Sequence, residues 1–352
     1  MGTLRSLLAI AVVIYHSYTI CGIRFLDGQT AVQSFYIISG FYMTLILNEK
    51  YNDYQHFIKN RLLRIYPAYW AVLALSVGIS LGSYLLGGRA FYLQPYLNNP
   101  LALGTSIYLI FSQLCILGLD FSFLMSLMPN GKFYFVSYFL GIPKPLFLFS
   151  FIPPAWTLSI ELYFYIVAPF LVKRNTESLI IILLCSVLVR LFCYAQFDMN
   201  RAPFDYHFFP FELAFFMIGA VLYKIYKYIE NLSISPFLLK TIGLLPIFFY
   251  LISPFLSFEM SEFRWIFYAI LSLTLPFLFL LTKNWKTDRL IGELSYPIYI
   301  SHHLVLILLK PWIWADLSNR LAYFGIATLL ITLIFAWLLW KFVMLPIEKW
   351  RT

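Results

Sequence analysis

The sequence predicts an all-α fold, a polytopic transmembrane helix bundle of about ten spanning helices plus a re-entrant or interfacial segment. Three observations carry that reading. Of the 352 residues, 61% are hydrophobic and 12% charged, against ~25% charged in a soluble domain, and mean hydropathy is +0.80. Apolar runs of about 17–25 residues recur, each long enough to cross ~30 Å of hydrocarbon at 1.5 Å per residue. Lys and Arg cluster between those runs, as in cytoplasmic loops. The formal charge of +9 therefore reads as topology, and nucleic acid is not an expected partner. Four cysteines (Cys21, Cys115, Cys185 and Cys193) contain no CxxC and lie in or beside apolar segments, so neither a metal site nor a disulfide framework is expected.

The first run, 4–21, holds a guanidinium and an imidazole, Arg5 and His16, eleven positions apart. At about 100° per residue the two return to within ~20° of one helix face, about 16 Å apart along the axis. An ionisable group at that depth costs at least ~2.5 kcal/mol unless compensated, which marks His16 as a candidate site residue. Without a small-residue cleavage site after it, the run reads as an uncleaved helix rather than a signal peptide. Nine further runs follow, at 31–47, 62–86, 155–172, 178–195, 208–228, 236–257, 265–282, 290–312 and 321–345. With both termini cytoplasmic, most Lys and Arg residues fall at inner loops and helix ends.

One stretch, 105–128, does not fit this count. A single extra crossing there would place Lys173, Arg174 and the 283–289 cluster outside. It is expected to re-enter, to lie in the interface, or to pair with 133–151 as a hairpin. Pro129, Asn130, Gly131, Pro143 and Pro145 predict irregular backbone, which membranes tolerate only where protein or water covers it. Residues 1–352 show no repeat, low-complexity tract or appended soluble domain, and are expected to form a single integral membrane domain with its chemistry inside the bundle.

At the inner end of the third run Arg61 and Arg64 share a helix face, where two guanidiniums suit the phosphates of a cytoplasmic ligand and Lys59 adds charge. A positive-inside anchor or an anionic-lipid contact explains them equally. Pro67 predicts a kink that opens a cavity near the pair, and Tyr66, Tyr69 and Trp70 read as packing and interface aromatics. For His16, titration near neutral pH suits a general base.

Five stretches then occur in order: Arg5 with His16, FYIISGFYMT at 35–44, the Arg61 and Arg64 pair before IYPAYW, WTLSIELYFY at 156–165, and SYPIYISHH at 295–303. Together they resemble the acyltransferase 3 family of integral membrane acyltransferases over nearly the whole chain. The resemblance implies an O-acetyltransferase of a bacterial plasma (inner) membrane. Such an enzyme moves an acyl group, usually acetyl from acetyl-CoA, to a hydroxyl of a carbohydrate or lipid-linked glycan, commonly at the extracytoplasmic face. It implies essential roles for Arg5 and His16, and an acyl-CoA site at Arg61 and Arg64.

Acyl-CoA is then the cosubstrate, a carbohydrate or glycolipid the acceptor, membrane lipids the surroundings, and no bound cofactor is expected. Glu161 stands where the family carries an acidic residue, placed to bind or deprotonate the acceptor or to orient His16. Trp156 is positioned to stack on an acceptor sugar, although an interfacial Trp is also common for amphipathic reasons. His302 aligns with the family's histidine at the depth of His16, so the two are expected to share a site. The chain departs from the family pattern at Pro297 and His303, and lacks the Leu-Asp pair before Arg5. His303 lies about 100° from His302, so one of the two at most is expected to face the cavity. Ser39 and Gly40 read as close helix packing, Arg190 and Asp198 as a pair near the outer surface, and Glu212, His56 and His207 as structural. The rival reading, a transporter or flippase of a lipid-linked sugar, calls for inverted repeats or paired broken helices, and neither is evident.

Overall fold

Every predicted apolar run forms helix in the computed structural model, which describes residues 1–17, 23, 25–51, 53–136, 142–256, 260–310 and 317–350. In chain order these are α1 (Gly2–His16), α2 (Gly28–Glu49), α3 (Tyr54–Gly87), the short α4 (Gln94–Asn98), α5 (Leu103–Cys115), strands β1 (Met125–Leu127) and β2 (Phe133–Phe135), α6 (Trp156–Leu171), α7 (Thr176–Phe197) and α8 (Phe209–Ile229). Then follow α9 (Pro236–Ile252), α10 (Met260–Thr282), α11 (Lys286–Glu293), α12 (Ser295–Leu309), α13 (Leu317–Leu339) and α14 (Leu345–Glu348). The chain is a polytopic membrane bundle, and among the described residues eight helices are long and apolar enough to cross a membrane.

The first and ninth predicted runs fall short of that length, with 15 residues each in α1 and α12. The expected ends at 18–21, 257 and 311–312 lie outside the described residues. Within the ninth run the reason for the shortfall is local. Pro297 has no N–H to return to the Glu293 carbonyl, so 290–312 divides at Leu294 into a charged α11 and an apolar α12. In the opposite direction, α3 starts at Tyr54, ahead of the predicted 62, because Asp53 caps it by accepting from the His56 N–H at 2.8 Å. Arg61 and Arg64 therefore lie two to three turns inside a 34-residue helix rather than at its start.

The stretch 105–128 is neither a spanning helix nor half of a helical hairpin. It comprises α5, a 3₁₀ turn at Asp120–Leu124 and β1, which pairs antiparallel with β2 so that Ser126 faces Tyr134. The hairpin expected with 133–151 is thus limited to three residues on each side. The aromatic run of α3 secures α5. The Tyr69 hydroxyl donates to the Gln113 carbonyl at 2.6 Å, Trp70 Nε1 donates to the Leu114 carbonyl at 3.0 Å, and the Tyr66 hydroxyl donates to the Cys115 carbonyl. These are the carbonyls a helix C-terminus leaves unpaired, and in an apolar setting each must find a donor.

Without a hydrophobic drive between helices in lipid, close packing and hydrogen bonds hold the bundle. The tightest approach joins α2 to α8. A Cβ on Gly40 would lie 2.0 Å from the Phe216 carbonyl oxygen, and one on Gly219 would lie 2.0 Å from the Ile37 carbonyl oxygen. At the start of α1, the cap comes from α11. Asp288 accepts from the Met1 ammonium at 2.8 Å, the Gly2 N–H at 2.7 Å, and the Thr3 N–H and Oγ1 at 2.8 Å each. Burial works to raise the Asp288 carboxyl, but the ammonium and backbone donors outweigh it and hold the group at about 2.

Candidate active site

Between α1, α2, α3, α6 and the α10 to α12 segment lies a cavity of about 410 Å³. Periodicity brings its polar lining together. Arg5 comes from α1, Arg61 and Arg64 from one face of α3, and Glu161 from α6. Along α2 the lining runs from Val32 to Ile46, about 21 Å at 1.5 Å per residue. One end carries Arg289, which is exposed, and Lys283, and so forms the mouth. At the other end stand Phe35, Thr157 and Tyr299.

Near the mouth, positive charge exceeds negative. Arg64 lies 3.8 Å from Glu293, a long contact for an ion pair. The Arg5 guanidinium sits 5.9 Å from the Tyr42 ring centroid, and that of Arg61 sits 6.0 Å from the Phe57 ring. Deeper in, Glu161 Oε1 accepts from Ser39 Oγ at 2.9 Å and from the Tyr165 hydroxyl at 2.6 Å. Ser39 is thus more than a helix-packing residue, whereas Gly40 beside it is one. Tyr165 reaches Glu161 because i and i+4 share a helix face.

His16 and His302 meet, as expected from their matched depth, but beyond the cavity's far end. Their rings stack at 5.1 Å, with His302 Nε2 3.2 Å from His16 Nδ1. Tyr299 and Phe35 form the partition. The Tyr299 ring is 5.9 Å from the His302 ring and 6.2 Å from the Phe35 ring, and its hydroxyl lies 2.9 Å from Thr157 Oγ1. His302 is fully buried, whereas His16, at the end of α1, is exposed.

The contacts fix the tautomers. His302 Nδ1 lies 2.6 Å from the Tyr299 carbonyl, which can only accept, so the proton of the neutral ring is on Nδ1. His302 Nε2 is then an acceptor. His16 Nδ1 lies between that nitrogen and the Val12 carbonyl at 3.1 Å, two acceptors, and must carry the proton. His16 Nε2 keeps its lone pair. A base oriented this way needs no rearrangement to take a proton.

Trp156 does not join this group. It is buried among Phe123, Tyr206 and His207, its ring 3.9 Å from that of His207, because loop residues fold over the first turn of α6. His303 also approaches His16, at 6.4 Å between rings, but its Nδ1 engages the Tyr92 hydroxyl at 2.7 Å. The expected Arg190 to Asp198 pair is replaced by Arg190 to Glu212 at 2.7 Å, since a buried carboxylate on α8 faces α7. Tyr299, Tyr165 and Asp288 carry no site signature in the sequence by themselves, and Lys283 and Arg289 read there as topology alone. The i, i+3 spacing of Tyr299 and His302, and the i, i+4 spacing of Glu161 and Tyr165, were the available signals.

A family model described as an acyltransferase domain matches residues 2–341. No curated protein and no solved structure matches the chain.

Proposed function

The chain belongs to that acyltransferase family, and from this premise we propose that it acylates a hydroxyl of a carbohydrate or lipid-linked glycan with the acyl group, acetyl first among them, of a cytoplasmic acyl-CoA. The reading places the Arg-lined mouth at the cytoplasmic face of a bacterial plasma membrane, with both termini on that side. Arg61 and Arg64 hold donor phosphates, Arg5 lies beside the pantetheine, and the thioester points toward Tyr299. Phe35 and Tyr299 move aside to let the thioester reach the histidine pair, where His16 Nε2 removes the acceptor's proton. The acceptor oxygen attacks the thioester carbonyl, the C–S bond breaks, and the imidazolium returns the proton to the CoA thiolate. His302 orients His16 and spreads its developing charge, and Glu161 is the carboxylate available to bind the acceptor hydroxyl.

The observation that carries the proposal is the fixed histidine pair one aromatic layer beyond a cation-lined cavity. His16→Ala should abolish label transfer from acetyl-CoA to a glycan acceptor, and thioester consumption with it, in purified protein that elutes as wild type does in size-exclusion chromatography. Wild-type turnover in that variant overturns the mechanism. Absence of any thioester consumption by the wild-type protein, with acceptor present, overturns the acyl-CoA reading.

A further inference from the structure

We propose that Arg289 and Lys283 form a second phosphate site at the cavity mouth, specific for the 3′-phosphate of coenzyme A. The inference rests on the acyl-CoA reading above. Both residues line the same cavity as Arg61 and Arg64 but belong to other segments, Lys283 to the turn after α10 and Arg289 to α11. Two cation pairs on separate elements of one cavity match a ligand with two separated anionic groups. Coenzyme A carries a 5′-diphosphate and a 3′-phosphate on one ribose, whereas a donor with a single phosphate group would engage only one of the two pairs.

Helix α11 sets the spacing. Glu293 meets Arg64 at 3.8 Å, and Arg289, four residues earlier on the same face, lies one turn nearer the mouth, about 6 Å back along the axis. Arg289 is exposed and has no ion-pair partner among the described residues. Lys283 is bound to Glu230 at 2.7 Å, Glu230 also takes Lys227 at 2.9 Å, and Lys227 reaches Glu49 at 3.3 Å, so two carboxylates match these two ammonium groups and the unbalanced positive charge at the rim is that of Arg289. The diphosphate is thereby assigned to the deeper arginines and the 3′-phosphate to the outer pair, with the pantetheine running inward toward Tyr299.

The test compares acetyl-CoA with 3′-dephospho-acetyl-CoA on the full-length protein in nanodiscs of phosphatidylcholine alone, by titration calorimetry. Wild type should bind acetyl-CoA at least about tenfold more tightly, the worth of one charge-assisted phosphate contact. Arg289→Gln and Lys283→Gln should each lose most of that preference, while affinity for the dephospho donor changes less than twofold. Equal binding of the two donors by the wild type overturns the 3′-phosphate site and leaves the acyl-CoA reading standing. Equal weakening of both donors in the variants also overturns it, because it marks a general field or lipid-headgroup effect. A wild type that binds neither donor overturns the acyl-CoA reading and this inference with it.

Discussion

In the proposed mechanism His302 acts through its neighbour. Buried and anchored by Nδ1 to the Tyr299 carbonyl, it presents a lone pair to His16 and selects the tautomer that leaves His16 Nε2 basic. Replacing His302 with Gln keeps a hydrogen-bonding side chain in the space but removes an imidazole that can share charge. The expected result is a kcat lower by about a hundredfold with an unchanged KM for acetyl-CoA, in line with general-base effects of ~10² or more. Steady-state kinetics decide it, and wild-type kcat in the variant removes His302 from the mechanism. Arg5, His16, Arg61, Arg64 and Glu161 were readable as candidates because charge in an apolar run is conspicuous and helical spacing gives the shared face. The tautomer chain was not readable, since it depends on how two helices nearly 290 residues apart meet. The packing of Trp156 was not readable for a similar reason, because its environment is made by Phe123, Tyr206 and His207 from other segments.

Among the elements, α2 is the wall on which both the cavity and the bundle depend. One face carries Phe35, Ser39 and Tyr42 into the cavity, while Gly40 lets it lie against the backbone of α8. Gly219→Ala would place a methyl group within 2.0 Å of the Ile37 carbonyl oxygen, and backbone cannot rotate out of the way as a side chain can. The helices must separate, at a cost of about 1–3 kcal/mol. A lower thermal midpoint in detergent is expected, with acyl transfer reduced at temperatures where the variant stays folded, because the α2 wall shifts. An unchanged midpoint would show that this contact is looser than the geometry requires. Apolar runs and turn residues located most elements, but lengths at α3, α11 and α12 depended on particular residues, the Asp53 cap and Pro297. The irregular 116–128 stretch was legible only as a misfit. Its support comes from α6, where Ser159 and the Tyr163 hydroxyl each lie 3.0 Å from the Gly118 N–H, and Ser159 also donates to Asp120.

On the scale of the whole molecule, the bundle puts cationic groups at one end of α1 and a hydrogen-bonded histidine pair at the other, and Asp288 locks the cationic end. The membrane class follows from composition, but the cavity does not, because it is defined by which helix faces meet. Asp288 links these levels, since it caps α1, lines the cavity and sits on the same short helix as Arg289 and Glu293. Its carboxyl is held at about 2, below the ordinary 3.8, so it titrates lower in the folded than in the unfolded chain. The sign follows from linkage: the stabilisation is present in full above about pH 4 and is lost as the pH falls through about 2. Asp288→Asn should therefore lower the thermal midpoint at pH 7 by roughly 3–10 °C, from the loss of charge-assisted hydrogen bonds to the start of α1. The gap between variant and wild type should narrow as the pH is brought from 4 toward 2.5, where the native carboxyl begins to protonate. A gap that stays constant over that range would mean that Asp288 acts through shape rather than charge, and would separate the capping of α1 from the electrostatics of the cavity mouth.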